Sequence, residues 1–419
     1  MTTIEAFNQP IATVQVPGSK SYTQRALICA ALAEGRSRLC NVLVAEDTAF
    51  FIRGLRVLGA HIRKRGKHLF IEGTGGRITD PGKAIYLGNN GTALRFFTSL
   101  VSLGKGRYKL TGTARLCERP IGSLLEALNK LGVKGDSQKK NGRPPVIIEA
   151  DGLPGGTVVM SDVESSQYIS SLLLSAPYAH QDVKIKLKGQ TVSKPYIDMT
   201  LQVMNAFNVK VEQPTENSYT VKHGQFYQER DYSIEGDASS ASYFLLAAAL
   251  GKRPIRILNL NPASLQGDVK FIDIIENIGC GIVRGNDWIE IEGRSLAEGP
   301  LEFSMRDMPD MVPTLAVLAA FRKGQTIIRD AGHLRIKESD RIAALVNELK
   351  RIGIAAQETD DGMIIRGGRP HGATINTYND HRIAMSFAVA GLVTPGIEIA
   401  DPDCVGKSFP EFWDELKKL

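Results

Sequence analysis

Two kinds of helix are predicted to alternate along this chain, and they differ in how their apolar residues are distributed. The first kind is a short run of small and apolar residues that directly follows a turn of polar, glycine or serine residues. These turns recur at a period of roughly 70 residues, and they begin at Pro17, Leu87, Ser161, Glu235, Arg306 and Tyr378. A helix that is apolar on every side suits burial on every side, so we expect these six segments to lie inside the protein.

The second kind of helix carries its apolar residues on one face only. In "IGSLLEALNKLGV" they fall at i, i+3, i+4 and i+7, and the same spacing returns within 271–278, 342–352 and 409–419. Strand-like hairpins such as "HIRKRGKHLFIEG" and "KVEQPTENSYTVKHG" follow most of these helices. The repeating unit is therefore predicted to be β-α-β-α-β-β, in an α/β (α+β) fold.

A chain of 419 residues is too long for one hydrophobic core and should divide into about two domains. The last repeat ends without a hairpin, and the N-terminal "TIEAFNQPIATVQV" is the strand-like segment left to complete it. We therefore predict an N-terminal lobe of three repeats over 18–233 and a C-terminal lobe formed by 1–17 plus 234–419, with hinges near Pro17 and Glu235. Approximate threefold symmetry in each lobe would give its buried helices a common direction, so that their positive N-termini create an anion site in a cleft between the lobes.

Composition narrows the classes of ligand and compartment. Lysine and arginine number 51 against 45 acidic residues, and this modest excess suits a small anionic ligand better than nucleic acid, for which no aromatic-rich basic stripe is present. The five cysteines lack any Cys-x-x-Cys spacing, which argues against a disulfide framework and a zinc site. The apolar runs are far shorter than the ~20 residues of a membrane span. We expect a cytoplasmic protein that does not cross a membrane.

Charged, hydroxyl and amide side chains are concentrated in the six turns and in loops between them. The turns contain Lys20, Ser21, Arg25, Asn89, Gly91, Ser165, Ser166, Gln167, Asp310, His381 and Arg382, and the loops contain Arg119, Lys337, Glu338, Arg341 and Lys407. Cations outnumber acids in this set, which predicts ligands with several negative charges, such as phosphates and a carboxylate. Helix capping is the competing interpretation, above all for Asp237, Ser239 and Ser240.

Nine motifs in this order carry a resemblance to a known family. They are "PGSKSYTQRALICAALAEG", "LGNNGTALR", "ERPIGSLLEALNKLG", "SSQYISSLLLSAP", "SKPYIDMT", "EGDASSASYF", "IKESDRIAALVNEL", "TYNDHRIAMSF" and "DPDCVGKSFPEF". The chain resembles the enolpyruvylshikimate phosphate (EPSP) synthases over nearly its whole length. The resemblance implies two lobes of three repeats each, the enolpyruvyl transferase fold, with the active site in the cleft between them. It also implies transfer of the enolpyruvyl group of phosphoenolpyruvate to the 5-hydroxyl of shikimate 3-phosphate, in aromatic amino-acid biosynthesis.

The resemblance also implies residue roles. Shikimate 3-phosphate would contact Lys20, Ser21, Arg25, Ser165, Ser166, Gln167, Ser193, Tyr196, Asp310, His333 and Lys337. Phosphoenolpyruvate would contact Lys20, Asn89, Gly91, Arg119, Gln167, Arg341, Arg382 and Lys407. The catalytic residues would be Lys20, Asp310, Glu338 and His381. The resemblance implies a monomer that needs neither a metal nor an organic cofactor.

Three positions depart from the family pattern. His333 stands where many relatives have Asn, Phe96 stands where Pro is frequent, and Asn90 replaces a common Ala. Gly91 is the form that goes with sensitivity to glyphosate, so we expect this compound to inhibit in competition with phosphoenolpyruvate.

Two rival interpretations stay open at the level of sequence. The sister transferase that acts on UDP-N-acetylglucosamine has a reactive cysteine before an Arg-Pro pair, and here Cys117 precedes Arg119 and Pro120. However, "KSYTQR" and "SSQ" favour a phosphorylated ring acid. The second rival is a catalytically silent protein that only binds anions, and the presence of Lys20 and Glu338 argues against it.

Overall fold

The computed structural model describes residues 1–4, 12–189 and 193–419. Residues 5–11 of the predicted N-terminal strand therefore lie outside the described residues. Among the helices described, none is long and apolar enough to cross a membrane.

Helices of the two predicted kinds alternate strictly along the described chain. The α-helices are α1 Lys20–Leu32, α2 Glu46–Val57, α3 Gly91–Leu100, α4 Gly122–Lys130, α5 Ser166–Ser175, α6 Pro195–Ala206, α7 Ala238–Gly251, α8 Phe271–Asn277, α9 Val312–Phe321, α10 Arg341–Arg351, α11 His381–Gly391 and α12 Phe412–Leu416. Short 3₁₀ helices cover Val101–Leu103, Leu116–Glu118, Ala176–Tyr178, Gly267–Lys270, Pro309–Met311, Gly332–Ile336 and Pro402–Lys407. Each of the six polar turns leads into an odd-numbered helix, as predicted.

The strands are short, as expected for edges and hairpins of small sheets. They are β1 Thr2–Thr3, β2 Ala12–Gln15, β3 Arg36–Cys40, β4 His61–Arg65, β5 His68–Glu72, β6 Ile85–Tyr86, β7 Lys105–Thr111, β8 Lys134–Ser137, β9 Val146–Asp151, β10 Gly156–Ser161, β11 Val183–Lys188, β12 Val211–Thr215, β13 Ser218–Val221, β14 Asp231–Ser233, β15 Pro254–Leu258, β16 Gly281–Arg284, β17 Trp288–Glu292, β18 Leu301–Ser304, β19 Gln325–Arg329, β20 Ala355–Glu358, β21 Met363–Arg366, β22 Thr374–Ile375 and β23 Glu398–Ile399.

The chain divides into two compact units, Ser19–Ile234 and Met1–Gly18 with Glu235–Leu419. We call them the N-terminal lobe and the C-terminal lobe. Each has its own hydrophobic core, built around the odd-numbered helices. The hinges near 17 and 235 stay a prediction.

The sheets repeat one connectivity. In the order β6-β7-β9-β8, the first pair is parallel and the next two pairs are antiparallel. The sheets β10-β11-β13-β12 and β18-β19-β21-β20 follow the same rule. A parallel pair needs a crossover connection, which the odd-numbered helix provides, and an antiparallel hairpin follows the even-numbered helix. This is the predicted β-α-β-α-β-β repeat.

Strands from distant parts of the chain complete the remaining sheets. In the N-terminal lobe, β14 pairs in parallel with β3, a contribution that the sequence did not reveal. In the C-terminal lobe, β2 pairs in parallel with β15, whereas β1 pairs antiparallel with β23 of the last repeat. The N-terminal segment therefore serves two sheets, and not only the last one as expected.

The odd-numbered helices of the C-terminal lobe pack directly on one another. Helices α7, α9 and α11 make all three mutual contacts, and nearly all of their residues are buried. In the N-terminal lobe, α5 contacts both α3 and α1. Because these helices are apolar all round, their polar N-terminal turns are where charge can be placed at the edge of each core.

Candidate active site

The start of α1 holds Lys20 beside a buried acid. Ser19 is the N-cap of α1, where its hydroxyl accepts the backbone N–H of Tyr22. Lys20 Nζ lies 3.2 Å from Asp47 Oδ2, and the Asp47 side chain is almost fully buried. The side-chain amide of Asn90 donates to the Asp47 carbonyl at 2.8 Å. The ammonium group of Lys20 is thus held close to the N-cap of α3.

Arg25 is fixed by a set of contacts that span the N-terminal lobe. Its Nε donates to Thr200 Oγ1 at 2.8 Å, its Nη2 to the Tyr196 carbonyl at 2.9 Å, and its Nη1 to the Ser21 carbonyl at 3.0 Å. The guanidinium carbon lies 5.4 Å from the centre of the Phe96 ring. Burial lowers the pKa of Arg25 to about 10, so it is still a cation at neutral pH. A preorganised buried cation suits a phosphate or a carboxylate.

The side-chain amide of Gln167 is oriented from both ends. Arg95 Nη1 donates to Gln167 Oε1 at 3.2 Å, and Gln167 Nε2 donates to Thr92 Oγ1 at 3.0 Å. Arg95 Nη2 also donates to the Pro120 carbonyl at 3.4 Å. The N-terminal ends of α3 and α5 are therefore joined through Gln167, a residue predicted to contact both substrates.

A side chain at Gly91 would have to displace the ends of two arginine side chains. A Cβ atom at this position would lie 2.5 Å from Arg119 Cζ and 2.5 Å from Arg95 Nη1. Arg119 is buried directly after the 3₁₀ helix Leu116–Glu118. The missing Cβ thus allows two guanidinium groups to approach the start of α3, and the half-buried Asn89 lies two residues before it.

The predicted serines occupy the ends of α5 and α6. Ser165 is the N-cap of α5 and accepts the Gln167 backbone N–H at 3.3 Å, so the capping interpretation holds for it. Ser166 is buried as the first residue of that helix. Ser193 adopts the left-handed conformation, with φ of 57°, two residues before α6 begins at Pro195. Tyr196 follows in its first turn.

In the C-terminal lobe, two arginines hold the Asp310 carboxylate. Arg341 Nη1 lies 2.9 Å from Asp310 Oδ1, and Arg382 Nη2 lies 2.6 Å from Asp310 Oδ2. Asp310 belongs to the 3₁₀ helix Pro309–Met311 directly before α9. A predicted proton acceptor thus lies between two predicted anion-binding groups.

Arg341 is the centre of an ion network. Its side chain is 1% exposed and also contacts Glu338 Oε2 at 3.0 Å and Asp380 Oδ2 at 2.8 Å. Burial lowers the pKa of Arg341, but the carboxylates of Asp380, Glu338 and Asp310 outweigh it and raise that pKa overall. Glu338 lies two residues before the N-cap Asp340, so it stands outside the first turn of α10.

The turn before α11 positions His381 and Arg382. Asp380 is the N-cap and accepts the Arg382 backbone N–H at 3.0 Å. Arg382 Nη1 donates to the Tyr243 hydroxyl at 3.4 Å. His381 is completely buried, with Nδ1 3.9 Å from Asp380 Oδ1. The burial of His381 favours a supporting role over direct contact with solvent-borne substrate.

His333, Lys337 and Lys407 lie at or near the ends of 3₁₀ helices. Burial, together with the nearby Lys337 ammonium, lowers the pKa of His333 to about 3. His333 is therefore neutral at pH 7, and its Nε2 makes no hydrogen bond within the described part of the chain. Lys407 is the buried last residue of Pro402–Lys407.

Several functional contacts come from residues that the sequence did not single out. Asp47 lies outside the nine motifs, and Thr200 and Tyr243 stand in two of them without having been assigned a role. Their partners Lys20, Arg25 and Arg382 lie 27, 175 and 139 positions away. Asp268 is another. It accepts a hydrogen bond from Ser239, a residue that was interpreted as a cap, whereas Asp237 alone caps α7 through the Ser240 N–H. Burial, helped by the Asp310 carboxylate, raises the pKa of Asp268 to about 7.

The described residues contain no group of three or more His, Cys, Asp or Glu side chains that could hold a metal ion. Cys117 Sγ lies 3.8 Å from Thr111 Oγ1 and 3.8 Å from the Gly112 carbonyl. Neither contact is a base, and this favours an inert cysteine.

Known proteins are similar to this chain in both sequence and fold. A sequence model of the EPSP synthases, described as EPSP synthase (3-phosphoshikimate 1-carboxyvinyltransferase), matches residues 5–416. The 3-phosphoshikimate 1-carboxyvinyltransferase of Trichormus variabilis is 42% identical over 420 residues, which cover 99% of this chain and 98% of the relative. The enzyme of the same name from Shewanella sediminis is 40% identical over 421 residues, with the same coverage.

The solved structures agree with the sequence relatives. An EPSP synthase from Acinetobacter baumannii superposes with a TM-score of 0.81 at 28% identity, covering 99% of this chain and 97% of that one. This similarity confirms the predicted fold class. Since a family model and full-length relatives at about 40% identity agree, the chain belongs to the EPSP synthase (3-phosphoshikimate 1-carboxyvinyltransferase) family.

Proposed function

We propose that this protein transfers the enolpyruvyl group of phosphoenolpyruvate to the 5-hydroxyl of shikimate 3-phosphate and releases inorganic phosphate. This is a step in the shikimate pathway, which leads to aromatic amino acids. The observation that carries the proposal is the Asp310 carboxylate, which lies within 2.9 Å of Arg341 and 2.6 Å of Arg382. This arrangement puts a proton acceptor beside two cations. The relatives that match the chain over its whole length are named 3-phosphoshikimate 1-carboxyvinyltransferase.

The two substrates differ in what they demand from the protein. Phosphoenolpyruvate has a carboxylate and a phosphate next to its double bond, and the guanidinium forks of Arg119, Arg341 and Arg382 suit both groups. Asn89, Gly91, Gln167, Lys20 and Lys407 complete its proposed contacts.

Shikimate 3-phosphate adds ring hydroxyls to a phosphate and a carboxylate, so hydroxyl and amide groups are needed as well as cations. The proposed contacts are Lys20, Ser21, Arg25, Ser165, Ser166, Gln167, Ser193, Tyr196, Asp310, His333 and Lys337. His333 has a neutral ring and an Nε2 atom without a partner among the described residues, which supports a hydrogen bond to a ring hydroxyl.

The reaction is an addition followed by an elimination. In the addition, the 5-hydroxyl oxygen bonds to C2 of phosphoenolpyruvate, its proton passes to Asp310, and the π electrons take a proton from Glu338 at C3. In the elimination, the Glu338 carboxylate left by the first step takes a proton from C3, the electrons of that C–H bond form the double bond again, and the C2–O bond breaks so that phosphate leaves with its electron pair. Asp310 returns its proton to solvent. Lys20 stabilises the charge that develops on the departing phosphate, and His381 supports the turn that carries Arg382.

Three further properties belong to the same proposal. Glyphosate inhibits in competition with phosphoenolpyruvate, because Gly91 has no Cβ to push away the Arg119 guanidinium that is proposed to bind phosphoenolpyruvate. The protein is a monomer. It works in the cytoplasm, in keeping with five free cysteines in the structure.

The test is release of inorganic phosphate from the two substrates without added metal. Release that requires both substrates supports the proposal. If phosphate appears only when UDP-N-acetylglucosamine replaces shikimate 3-phosphate, the sister activity is correct. If neither acceptor gives phosphate, the proposal is wrong, and the remaining interpretation is a protein that binds anions without catalysing a reaction.

A further inference from the structure

The turn that leads into α11 has an unfavourable backbone. Tyr378 has φ of 55° and Asn379 has φ of 54°, so two consecutive residues other than glycine adopt the left-handed conformation. This conformation is uncommon for non-glycine residues, and for one as bulky as tyrosine it persists only where neighbouring contacts impose it. Arg382 stands three residues further on, so its position depends on what holds this turn.

A buried carboxylate on α10 holds it. The Glu348 side chain is fully buried, and each of its oxygens has a partner in the turn. Oε2 accepts the backbone N–H of Asn376 at 3.0 Å, and Oε1 accepts the hydroxyl of Tyr378 at 2.8 Å. On the solvent side, Arg351 Nε lies 3.0 Å from Oε2, and the Arg351 side chain is 45% exposed.

The same helix also holds the other end of the turn. Arg341 precedes Glu348 by seven residues, which is close to two helical turns, so both side chains leave the same face of α10. Arg341 Nε binds Asp380 Oδ2 at 2.8 Å. One face of α10 therefore binds the turn at two places. Glu348 accepts hydrogen bonds from Asn376 and Tyr378, and Arg341 donates to Asp380.

We propose that Glu348 is a positioning residue for phosphoenolpyruvate binding, which acts by fixing the turn before α11 so that Arg382 is preorganised. Glu348 itself does not contact substrate, and its effect passes through Tyr378 and Asn379 to the start of α11. The inference rests on the proposed function for its substrate, but not for the rigidity that it assigns to the turn.

Three variants test it. Glu348→Gln leaves one side-chain oxygen to accept hydrogen bonds, so either the Asn376 N–H or the Tyr378 hydroxyl loses its acceptor. We expect KM for phosphoenolpyruvate to rise about tenfold. Tyr378→Phe removes only the hydroxyl contact, and we expect a rise of about threefold in the same KM. KM for shikimate 3-phosphate stays within about twofold in both variants. Arg351→Gln is the matched control, because it removes only the exposed partner of Glu348, and both KM values stay within about twofold.

A second readout needs no turnover. Hydrogen exchange of the backbone amides in 376–382, followed by mass spectrometry, is expected to be faster in Glu348→Gln and in Tyr378→Phe than in the parent protein, and unchanged in Arg351→Gln. In the double variant Glu348→Gln with Tyr378→Phe, we expect KM for phosphoenolpyruvate to rise by less than the product of the two single effects. The two substitutions share one contact, the hydrogen bond between Glu348 and the Tyr378 hydroxyl.

Two results overturn the inference. One is unchanged exchange of these amides in Glu348→Gln and Tyr378→Phe, whatever the enzymatic activity. The other is an equal rise of KM for both substrates in both variants, which would mean general loosening and not positioning. Absence of phosphate release in the parent protein would reject the proposed function, while the exchange experiment still decides the role of Glu348.

Discussion

Replacement of Asp310 by Asn separates the proposed chemistry from the structure around it. The Asp310 oxygens accept from Arg341 Nη1 at 2.9 Å and from Arg382 Nη2 at 2.6 Å, and the side chain is 19% exposed. Asn has nearly the same shape, but it has no negative charge and cannot accept the proton of the 5-hydroxyl. The substitution thus removes the proposed base and leaves the shape of the side chain almost unchanged.

The size of the effect follows from the contacts. Loss of a general base costs about 10² to 10⁴ in kcat, or about 3 to 5 kcal/mol of transition-state stabilisation. The fold should tolerate the change, because Arg341 keeps its partners Asp380 and Glu338. We expect the free energy of unfolding to fall by less than about 3 kcal/mol, since the carboxylate is partly exposed and its arginines keep other contacts.

Turnover is measured as phosphate release at saturating concentrations of both substrates. Calorimetry measures the binding of shikimate 3-phosphate, and thermal unfolding measures stability. Asp310→Asn should lose turnover and keep binding within about tenfold. Asp380→Asn is the contrasting variant, because the fully buried Asp380 accepts from Arg341 and Ser339. It should lose about 3–5 kcal/mol of stability. If Asp310→Asn keeps kcat within tenfold of the parent, Asp310 is not the base and the mechanism is wrong.

Three further predictions come from individual contacts. Gly91→Ala places a Cβ 2.5 Å from Arg119 Cζ, so KM for phosphoenolpyruvate should rise by about tenfold and glyphosate should inhibit less; unchanged kinetics would show that Arg119 moves aside at no cost. Phe96→Leu removes the ring beneath the Arg25 guanidinium, and steady-state kinetics should show KM for shikimate 3-phosphate raised about threefold to tenfold; a rise for phosphoenolpyruvate alone would contradict this. The folded pKa of Asp268 is about 7 against an ordinary 3.8, so its contribution to stability is complete below pH 3.8 and is lost as the pH rises through 7. Denaturant titrations of Asp268→Asn from pH 4 to 8 should therefore show a smaller fall in stability with pH than the parent, and an equal fall would refute the assignment.

Local patterns in the sequence predicted the repeat well. The polar turns precede α1, α3, α5, α7, α9 and α11, and hairpins stand where alternation predicted them. These features depend on neighbours within a few residues, where spacing is informative. The pairing of β14 with β3 was not predicted, because a three-residue strand that pairs across 193 positions leaves no periodic signal.

The candidate site was predictable in its charged groups and not in their partners. Arg25, Arg341 and Arg382 stand out in the turns and loops, because cations there recur from repeat to repeat. Nothing nearby in the sequence indicates that Glu348 holds a left-handed turn or that Asp47 pairs with Lys20. Such pairs are set by the packing of helices that are distant in the chain.

The proposed mechanism requires C3 of phosphoenolpyruvate to gain a proton in the addition and to lose one in the elimination. The most direct measurement is the reaction of both substrates in D₂O followed by NMR. The addition delivers a solvent-derived deuteron to C3, and the elimination removes one of the three hydrogens there. We predict a vinyl ether of shikimate 3-phosphate that carries deuterium on its methylene carbon and forms together with inorganic phosphate. A vinyl ether without deuterium would contradict the mechanism, and no vinyl ether would contradict the proposed function.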